Sequence, residues 1–437
     1  MTLPASEIPT TTLAPLESPS QDPEFVTDDA SEAGNEPRNF VVMAAFLIVQ
    51  RLGWIFKTES IIMPAVADLV GAGGWLRGCL PVLSRIGLSV PPLFASRRVK
   101  TTPRKQSILF VTSACMSLTF LSLALMWTAR EAIGAAWMAF AFLALYTLFF
   151  TAVGVNQLVL GTLTGKLIQV THRGRLLLVA NVLGATIAIT AAVVLMPRWL
   201  ESGGYVYIFG FAGLMFGLNA MMSLMLVESP DDETAPRQSP SELFRSAYRL
   251  LREDRTFRRA ACIGALFGSS FTLFPHYQAI ALGQMGLDHT DMMMWVVLQN
   301  VGTALLSMLV GPVADRRGNR AVLRGILLAV LLAPLLAITL PHFANGAAWF
   351  PLVFLLVGTT PVTVRILHNY ILEVAPTADH PLYLSTLSLV VGMPVLLSPV
   401  IGLIVVRFGF EVVFIPVACL GLVAWLLSWR IDEPRHA

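Results

Sequence analysis

Five charged residues interrupt the first two long apolar stretches of the chain. They are Arg51, Lys57 and Glu59 in the stretch 39–66, and Arg85 together with Arg77, which is nearer to one membrane face, in the stretch 73–96. Each stretch is long enough to cross a lipid bilayer, which takes about 20 mostly apolar residues. A charge near the centre of a bilayer costs from about 2.5 kcal/mol to more than about 10 kcal/mol, so these residues are candidates for a functional site.

The balance of these charges predicts an anionic ligand. Arg51 and Arg85 each lie about eleven residues, or roughly 17 Å, from one end of their stretch, which is near its middle. One carboxylate, Glu59, cannot neutralise three bases, and surplus positive charge away from water favours a bound anion. We therefore predict that Arg51, Lys57 and Arg85 bind substrate. The alternative is an ion pair between Glu59 and one of the bases that only holds helices together.

Glu59 is also the residue that we predict to bind and release a proton. Burial favours the neutral form of a carboxylate, whereas a neighbouring base favours the charged form. The arrival of an anion beside the bases changes this balance. Glu59 would then couple proton movement to ligand binding.

A second set of polar residues lies in two later apolar stretches. Pro275 interrupts a helix and exposes backbone carbonyls, and His276 and Tyr277 follow it directly. Gln299 and Asn300 need hydrogen-bond partners within an apolar layer. We predict all four polar residues to contact the substrate. For His276 and Tyr277, ordinary packing in the protein core is an equal alternative.

The composition indicates what kind of element positions these residues. Of the 437 residues, 55% are hydrophobic and only 13% are charged, and the mean hydropathy is +0.70. Soluble domains contain roughly 25% charged residues. The chain is therefore predicted to be an integral membrane protein built from α-helices.

Apolar runs broken by Gly, Pro and charged clusters predict twelve membrane spans. They are 39–66, 73–96, 106–128, 132–160, 173–197 and 204–227, followed by 258–283, 289–312, 320–341, 346–373, 381–405 and 408–430. The predicted organisation is a disordered acidic tail 1–38 without a secretory signal, a six-helix half 39–227, a linker 228–257, a second six-helix half 258–430 and a tail 431–437.

The distribution of Lys and Arg predicts which side of the membrane each loop occupies. Short loops on the cytoplasmic side carry an excess of both residues. One set of loops is rich in them, at Arg97, Arg98, Lys100, Arg104, Lys105, Lys166, Arg173, Arg175, Arg316, Arg317, Arg320 and Arg324. We therefore expect both termini and the linker in the cytoplasm of a bacterial cell, whose inner membrane the spans cross.

The linker has a helix signal of its own. Ser239, Pro240 and Glu242 are typical of a helix start with a capping Ser, a first-turn Pro and a reciprocal Glu. Apolar residues then recur on one face, which predicts an amphipathic helix in the membrane interface. A regulatory or partner-binding helix is the alternative.

A charged turn lies between the eighth and ninth predicted spans. Its sequence, Gly311-Pro-Val-Ala-Asp-Arg-Arg-Gly-Asn-Arg320, resembles the pattern G-x-x-x-D-R/K-x-G-R-R of the major facilitator superfamily. The turn between the second and third spans is similar, but Ser96 stands where the acidic residue belongs. Such internal similarity is typical of a duplicated transporter.

The resemblance implies an all-α fold of twelve transmembrane helices in two six-helix halves that alternate in access. It implies that the turn latches the halves, which makes Asp315, Arg316 and Gly318 gating residues. Arg365 and Glu373 lie near the cytoplasmic end of the tenth span, and we expect them to gate as well. The alternative for the turn is a simple positive anchor at the membrane surface.

The predicted function is secondary transport of a small, anionic organic solute, with proton coupling as an option. The alternatives are an exporter of lipophilic or cationic compounds and a transporter-like sensor or partner subunit. The sequence has no nucleotide-binding Gly-x-x-x-x-Gly-Lys-Ser/Thr stretch, no catalytic constellation and no metal-ligand spacing. We therefore expect no enzyme activity, cofactor, metal or nucleic-acid partner, and a monomer that contacts its solute and membrane lipids.

Overall fold

The computed structural model describes residues 23–71, 73–132, 134–202, 204–230, 240–376 and 379–431. Helices joined by short loops account for nearly all of these residues, and none of them is in a strand. A bilayer offers the backbone no hydrogen-bond partners, so a spanning chain satisfies its amides within helices. The prediction of an all-α membrane protein is confirmed.

The first half contains seven helices that form six spans. They are α1 (Pro23–Ile55), α2 (Ile62–Leu69), α3 (Gly73–Thr101), α4 (Gln106–Thr128), α5 (Ala135–Leu167), α6 (Val170–Glu201) and α7 (Tyr205–Ser223). The first span consists of α1 and α2 with a short irregular stretch between them. That stretch contains Lys57 and Glu59.

The second half also forms six spans, although several are interrupted. Its helices are α9 (Arg255–Gly268), α10 (Phe274–Gln284), α11 (Met292–Thr339), α12 (Gly346–Trp349), α13 (Pro351–Val357), α14 (Thr360–Val374), α15 (His380–Gly392), α16 (Ser398–Phe408) and α17 (Glu411–Leu427). Ten stretches of the described chain are helices long and apolar enough to cross a membrane. The interrupted α9–α10 span and the 17-residue α17 bring the number to the predicted twelve.

Gly318 separates the eighth span from the ninth within α11. Its φ of 80° and ψ of 164° lie outside the helical region, so the two spans meet at a kink there. A positive φ is accessible to glycine at little cost because glycine has no Cβ. The backbone at the charged turn therefore requires glycine at this position.

The helices pack mainly within each half. In the first half α4 packs on α5 and α7, and α1 packs on α6 and α7. In the second half α11 packs on α13, α14 and α17, and α9 packs on α15. The halves meet where α3 packs on α16, α6 on α11 and α2 on α10. We call the end of the bundle that carries residues 101–106 and 253–255 the linker end, and the opposite end the distal end.

The first helix begins earlier than expected. We predicted a disordered tail through residue 38, but α1 begins at Pro23. Glu36 supplies a physical reason for the added order. Its Oε1 accepts a hydrogen bond from the backbone amide of Gln169 (3.0 Å) and lies 2.8 Å from Nδ1 of His172. These contacts fix the start of the first span against the start of α6.

The linker helix α8 (Pro240–Glu253) lies at the predicted position. Ser239, its expected cap, lies outside the described residues. Phe244 and Tyr248 are exposed, whereas Ala247 is buried. Because α8 packs on α9 and α15, it is attached to the second half of the protein.

We expect Gly154→Ala to destabilise the first half. A Cβ at Gly154 would lie 2.2 Å from the carbonyl oxygen of Gly87, so α5 and α3 must separate. Overpacking of this kind costs about 1–3 kcal/mol. The midpoint of thermal unfolding in detergent should fall.

Gly161→Ala is the matched control on the same helix. No atom lies within 4 Å of a Cβ at Gly161, and Ala favours a helix over Gly by up to about 1 kcal/mol. This variant should unfold at the same temperature as the wild type or higher. Equal midpoints for the two variants would contradict the close contact of α3 and α5.

Candidate functional site between the two halves

The backbones of α3 and α16 touch at the distal end. A Cβ at Gly74 would lie 2.3 Å from the carbonyl oxygen of Gly402, and one at Gly78 would lie 2.4 Å from the carbonyl oxygen of Ser398. Real Cβ atoms do not approach oxygen so closely, so glycine at these positions allows the contact. The two halves are therefore in direct backbone contact at this end.

Asp68 joins the halves beside that contact. Its Oδ2 accepts hydrogen bonds from Nη1 of Arg77 (3.1 Å), on its own half, and from Nε2 of Gln278 (3.0 Å), on the other half. A second contact pairs the Tyr205 hydroxyl with Nδ1 of His289 at 3.2 Å. Charge-assisted hydrogen bonds of the Asp68 type are stronger than neutral ones.

Asp68 and Arg77 were absent from our predicted site. The predicted first span ends at residue 66, which puts Asp68 in a loop, and Arg77 lies near one membrane face, away from the predicted site. The sequence does contain one indication of the pair, because Asp68 is an isolated acid nine positions before Arg77, near the ends of two predicted spans. Their contact depends on the reversal of the chain between α2 and α3, which the apolar pattern does not specify.

Lys57 lies inside the first half rather than on an exposed wall. Its side chain is 0% exposed and its Nζ is 2.9 Å from Oε1 of Glu59. The ammonium also lies 3.4 Å from the ring centroid of Trp54 and 4.3 Å from that of Phe150. Aromatic faces attract a desolvated cation. We expected Lys57 to contact the substrate, but it is buried within the first half. Aromatic rings and Glu59 compensate its charge there.

Glu59 is partly exposed, and Arg85 contacts the second half. The Glu59 side chain is 28% exposed, and Arg85 is close enough to be attracted by it. The guanidinium carbon of Arg85 lies 3.8 Å from the ring centroid of Phe271 in the second half. The Arg85 side chain thus bridges the halves without a hydrogen-bonded carboxylate in the described chain.

Arg51 lies closer to the linker end. Its Nη1 donates to Oδ1 of Asn181 in α6 at 3.3 Å, and Arg365 of α14 is near enough to repel it. Arg365 is exposed. No described acid compensates either guanidinium by an ion pair.

His276, Tyr277 and Gln278 occupy the first turn of α10. His276 is fully buried, and neither of its ring nitrogens has a hydrogen-bond partner in the described chain. Tyr277 is 2% exposed, and its ring packs edge-on against Phe414 with centroids 5.3 Å apart. The packing of Tyr277 matches the alternative that we gave for it, and His276 lacks the partner that a core histidine usually has.

The two amides of α11 have different partners. Oε1 of Gln299 accepts a hydrogen bond from the Ser60 hydroxyl of the first half at 2.6 Å. Asn300 donates to the Val296 carbonyl of its own helix at 2.9 Å. Gln299 therefore joins the halves, whereas Asn300 turns back to its own backbone.

The charged turn at the linker end has several described contacts. Arg320 donates to the Ile431 carbonyl at 3.0 Å, and Arg316 is exposed. The side chain of Asp315 lies outside the described part of the chain. Glu373 is half-buried near the end of α14. The structure thus places Arg316, Gly318 and Glu373 at the linker end, where we predicted them.

The contacts form layers along the path between the halves. Asp68, Gln278, Tyr205 and His289 hold the distal end together, and Ser60 with Gln299 lies below them. Arg85 and Arg51 follow toward the linker end. Among the described residues, no three His, Cys, Asp or Glu side chains are placed to hold a metal ion. The chemistry that this site offers is charge compensation.

The family model "Major Facilitator Superfamily" matches residues 109–358 and 279–437 of the chain. No curated protein sequence matches it. Three solved structures are similar in fold. A variant of the nucleoside transporter NupG has a TM-score of 0.71 at 11% identity, covering 90% of this chain and 100% of that chain.

The xylose transporter XylE from E. coli, in an inward open conformation, has a TM-score of 0.64 at 13% identity. The match covers 89% of this chain and 96% of that chain. An auto inhibited peptide transporter of the POT family has a TM-score of 0.65 at 13% identity, covering 92% of this chain and 97% of that chain. Identities this low show a shared fold and nothing finer.

We expect Glu59→Gln to destabilise the protein by leaving the buried Lys57 ammonium without its carboxylate. Breaking one side of a buried ion pair costs about 3–5 kcal/mol. The midpoint of thermal unfolding should therefore fall. The double variant Lys57→Met/Glu59→Gln should recover most of the loss, because it removes both charges.

Glu201→Gln is the control, since Glu201 is exposed at the distal end. It should leave the midpoint unchanged. A double variant as unstable as Glu59→Gln would show that the pair with Lys57 is not the source of the loss.

We expect Gln278→Leu to favour opening of the distal end. It removes one hydrogen bond to Asp68 across the halves and keeps Arg77 beside the carboxylate. A hydrogen bond to a charged group is worth about 1.5–3 kcal/mol, so the open population should rise about tenfold or more. Spin labels at Glu201→Cys and Asn345→Cys, in a background without native cysteines, should show longer distances.

Asn300→Leu serves as the matched control, because the amide of Asn300 bonds only within its own helix. Its distance distribution should equal that of the labelled parent. Unchanged distances in Gln278→Leu would mean that the Asp68 contact does not hold the distal end closed.

Proposed function

The chain belongs to the Major Facilitator Superfamily and is a secondary transporter of small molecules, and we propose that its solute is a small organic anion. Its two halves would close alternately around the solute, which binds between Arg51 and Arg85. Alternating access by two rocking repeats around a midplane site is the general mechanism of such folds.

One observation carries the choice of an anion. Arg85 contacts Phe271 of the other half, Arg51 bonds to the Asn181 amide, Arg365 is exposed, and none of the three forms an ion pair with a described residue. The Glu59 carboxylate is hydrogen-bonded to Lys57 instead. Uncompensated cations in a site of low polarity favour an anionic ligand. Arg in particular matches a carboxylate with two parallel hydrogen bonds.

The remaining polar residues would orient the solute. His276 has unused ring nitrogens, and Gln299 presents an amide beside Ser60. Tyr277 and Asn300 would form part of the wall of the proposed site. Lys57 would contribute indirectly, through its ion pair with Glu59. The neutral groups supply directional hydrogen bonds, and the arginines supply the charge.

We place the linker end in the cytoplasm because the basic residues of the loops collect there. The distal closure by Asp68 and the glycine contacts then corresponds to a state that is closed to the outside. Asp315, Arg316, Gly318, Arg365 and Glu373 would close the cytoplasmic side in the opposite state. Repulsion between Arg51 and Arg365 would favour separation of the halves on that side until the solute anion compensates Arg51.

Proton coupling at Glu59 is part of this proposal. Protonation of Glu59 would break its ion pair with Lys57 and remove a negative charge that faces Arg85. An anion that arrives at Arg85 would repel the Glu59 carboxylate and favour its protonation. Proton and anion would therefore bind together and move in the same direction.

We expect organic anions, screened as a panel, to raise the unfolding midpoint of the detergent-solubilised protein. Arg51→Gln and Arg85→Gln should each reduce the affinity by at least about tenfold, because each removes a charge-assisted hydrogen bond of about 1.5–3 kcal/mol. Arg198→Gln, an exposed charge at the end of α6, is the control and should bind like the wild type.

The same assay separates the alternatives. Stabilisation by lipophilic cations alone, unchanged in both arginine variants, would favour the exporter of cationic compounds, with Glu59 as its binding group. Ligand binding without flux in proteoliposomes would favour the sensor. If Glu59→Gln kept the full pH dependence of anion uptake, coupling through Glu59 would be wrong.

A further inference from the structure

A second concentration of positive charge lies outside the path between the halves. A cavity of about 280 Å³ opens at the linker end of the first half, where α3, α4 and α5 meet. Lys100, Lys105 and Lys166 line it, and we call it the lysine cavity. Val99 and Leu158 supply apolar wall. None of these residues takes part in the solute site described above.

Lysine is rare in this chain and is concentrated in this cavity. The chain has 30 basic residues, of which only four are lysines, and Lys57 is the one outside the cavity. A positive anchor at the membrane surface is served equally well by Arg. The ammonium of Lys is a compact point charge that binds single phosphate oxygens, whereas Arg prefers planar, two-point partners. The clustering of three lysines therefore points to a compact anion rather than to general charge.

The cavity has a fixed frame. Lys105 is 2% exposed and immediately precedes α4, which begins at Gln106. Glu228 accepts a hydrogen bond from the Gln106 amide at 2.8 Å and lies 3.4 Å from Nζ of Lys166. Glu228 therefore fixes Lys166 relative to the start of α4. Lys100 is exposed on the last turn of α3 and has no ion-pair partner among the described residues.

The polar wall favours an anion because it lacks an acid where the related turn has one. Ser96 also lines the lysine cavity, and its hydroxyl donates to the Leu93 carbonyl of its own helix. The corresponding position in the turn of the second half is Asp315. A carboxylate at position 96 would repel a phosphate and compensate Lys100. Ser96 leaves the charge of Lys100 available to a ligand.

We propose that the lysine cavity binds a phosphate group and that the ammonium of Lys100 forms an ion pair with it. The ligand chemistry is a phosphate monoester or diester, either in the headgroup of an anionic phospholipid or as free phosphate. The apolar wall and the position of the cavity at the ends of three spans favour the lipid, whose acyl chains would lie along the bundle. Bound lipid would fasten α3, α4 and α5 together at the cytoplasmic face.

Native mass spectrometry of the full-length protein in detergent tests the site. Phosphatidylglycerol should remain bound in preference to phosphatidylcholine, and Lys100→Gln should weaken its binding about fivefold. Arg98→Gln is the matched control, because Arg98 is exposed on the same turn of α3 and does not line the cavity. It should bind phosphatidylglycerol like the wild type. Lys100→Arg, which keeps the charge, should bind more weakly than the wild type and more tightly than Lys100→Gln.

Inorganic phosphate identifies the source of the ligand. Phosphatidylglycerol that stays bound in millimolar phosphate assigns the site to a lipid, and loss of the lipid to phosphate assigns it to the free anion. Equal weakening by Lys100→Gln and Arg98→Gln would overturn the proposal, because the attraction would then be diffuse. Unchanged binding in Lys100→Gln, with a wild-type unfolding midpoint, would overturn it as well.

Discussion

A charge that leaves water needs compensation, and this constraint organises the interior of the protein. Lys57 meets it with Glu59 and two aromatic faces, and Arg77 meets it with Asp68. Both pairs lie toward the distal end, where the halves are in contact. Arg51 and Arg85 have only an amide and an aromatic ring as described partners. Acids thus compensate Lys57 and Arg77, whereas no described acid forms an ion pair with Arg51 or Arg85.

The contact between the halves is built so that it can be released. Glycines let the α3 and α16 backbones touch without interlocking side chains. The cross-half hydrogen bonds of Asp68, Ser60 and Tyr205 involve single polar pairs that water or a solute could replace. Within each half, by contrast, long helices pack along their lengths around buried aromatic residues. Motion of rigid halves against each other therefore disrupts few interactions.

Positive charge serves two places in this molecule, and the side-chain chemistry differs between them. In the proposed solute site the charged groups are arginines, and a guanidinium suits a carboxylate because it can donate two parallel hydrogen bonds. Lysines line the cavity at the linker end of the first half. The two related turns differ in the same sense, because Ser96 occupies the first and Asp315 the second. The halves share a fold, but the turn of the second half carries an acidic residue where that of the first half carries a serine.

The sequence by itself determined the fold class, the twelve spans, the family and the glycine at the charged turn. These features follow from local composition, because a bilayer requires long apolar helices and a positive φ requires glycine. It also identified Arg51 and Arg85 as unusual charges. Only the tertiary structure decided which charges are compensated. It buried Lys57 among aromatic rings, joined Asp68 to Gln278, 210 residues apart, and gathered Lys100 of α3, Lys105 before α4 and Lys166 of α5. Such partners are distant in sequence, and their meeting depends on how helices pack, which apolar periodicity does not specify.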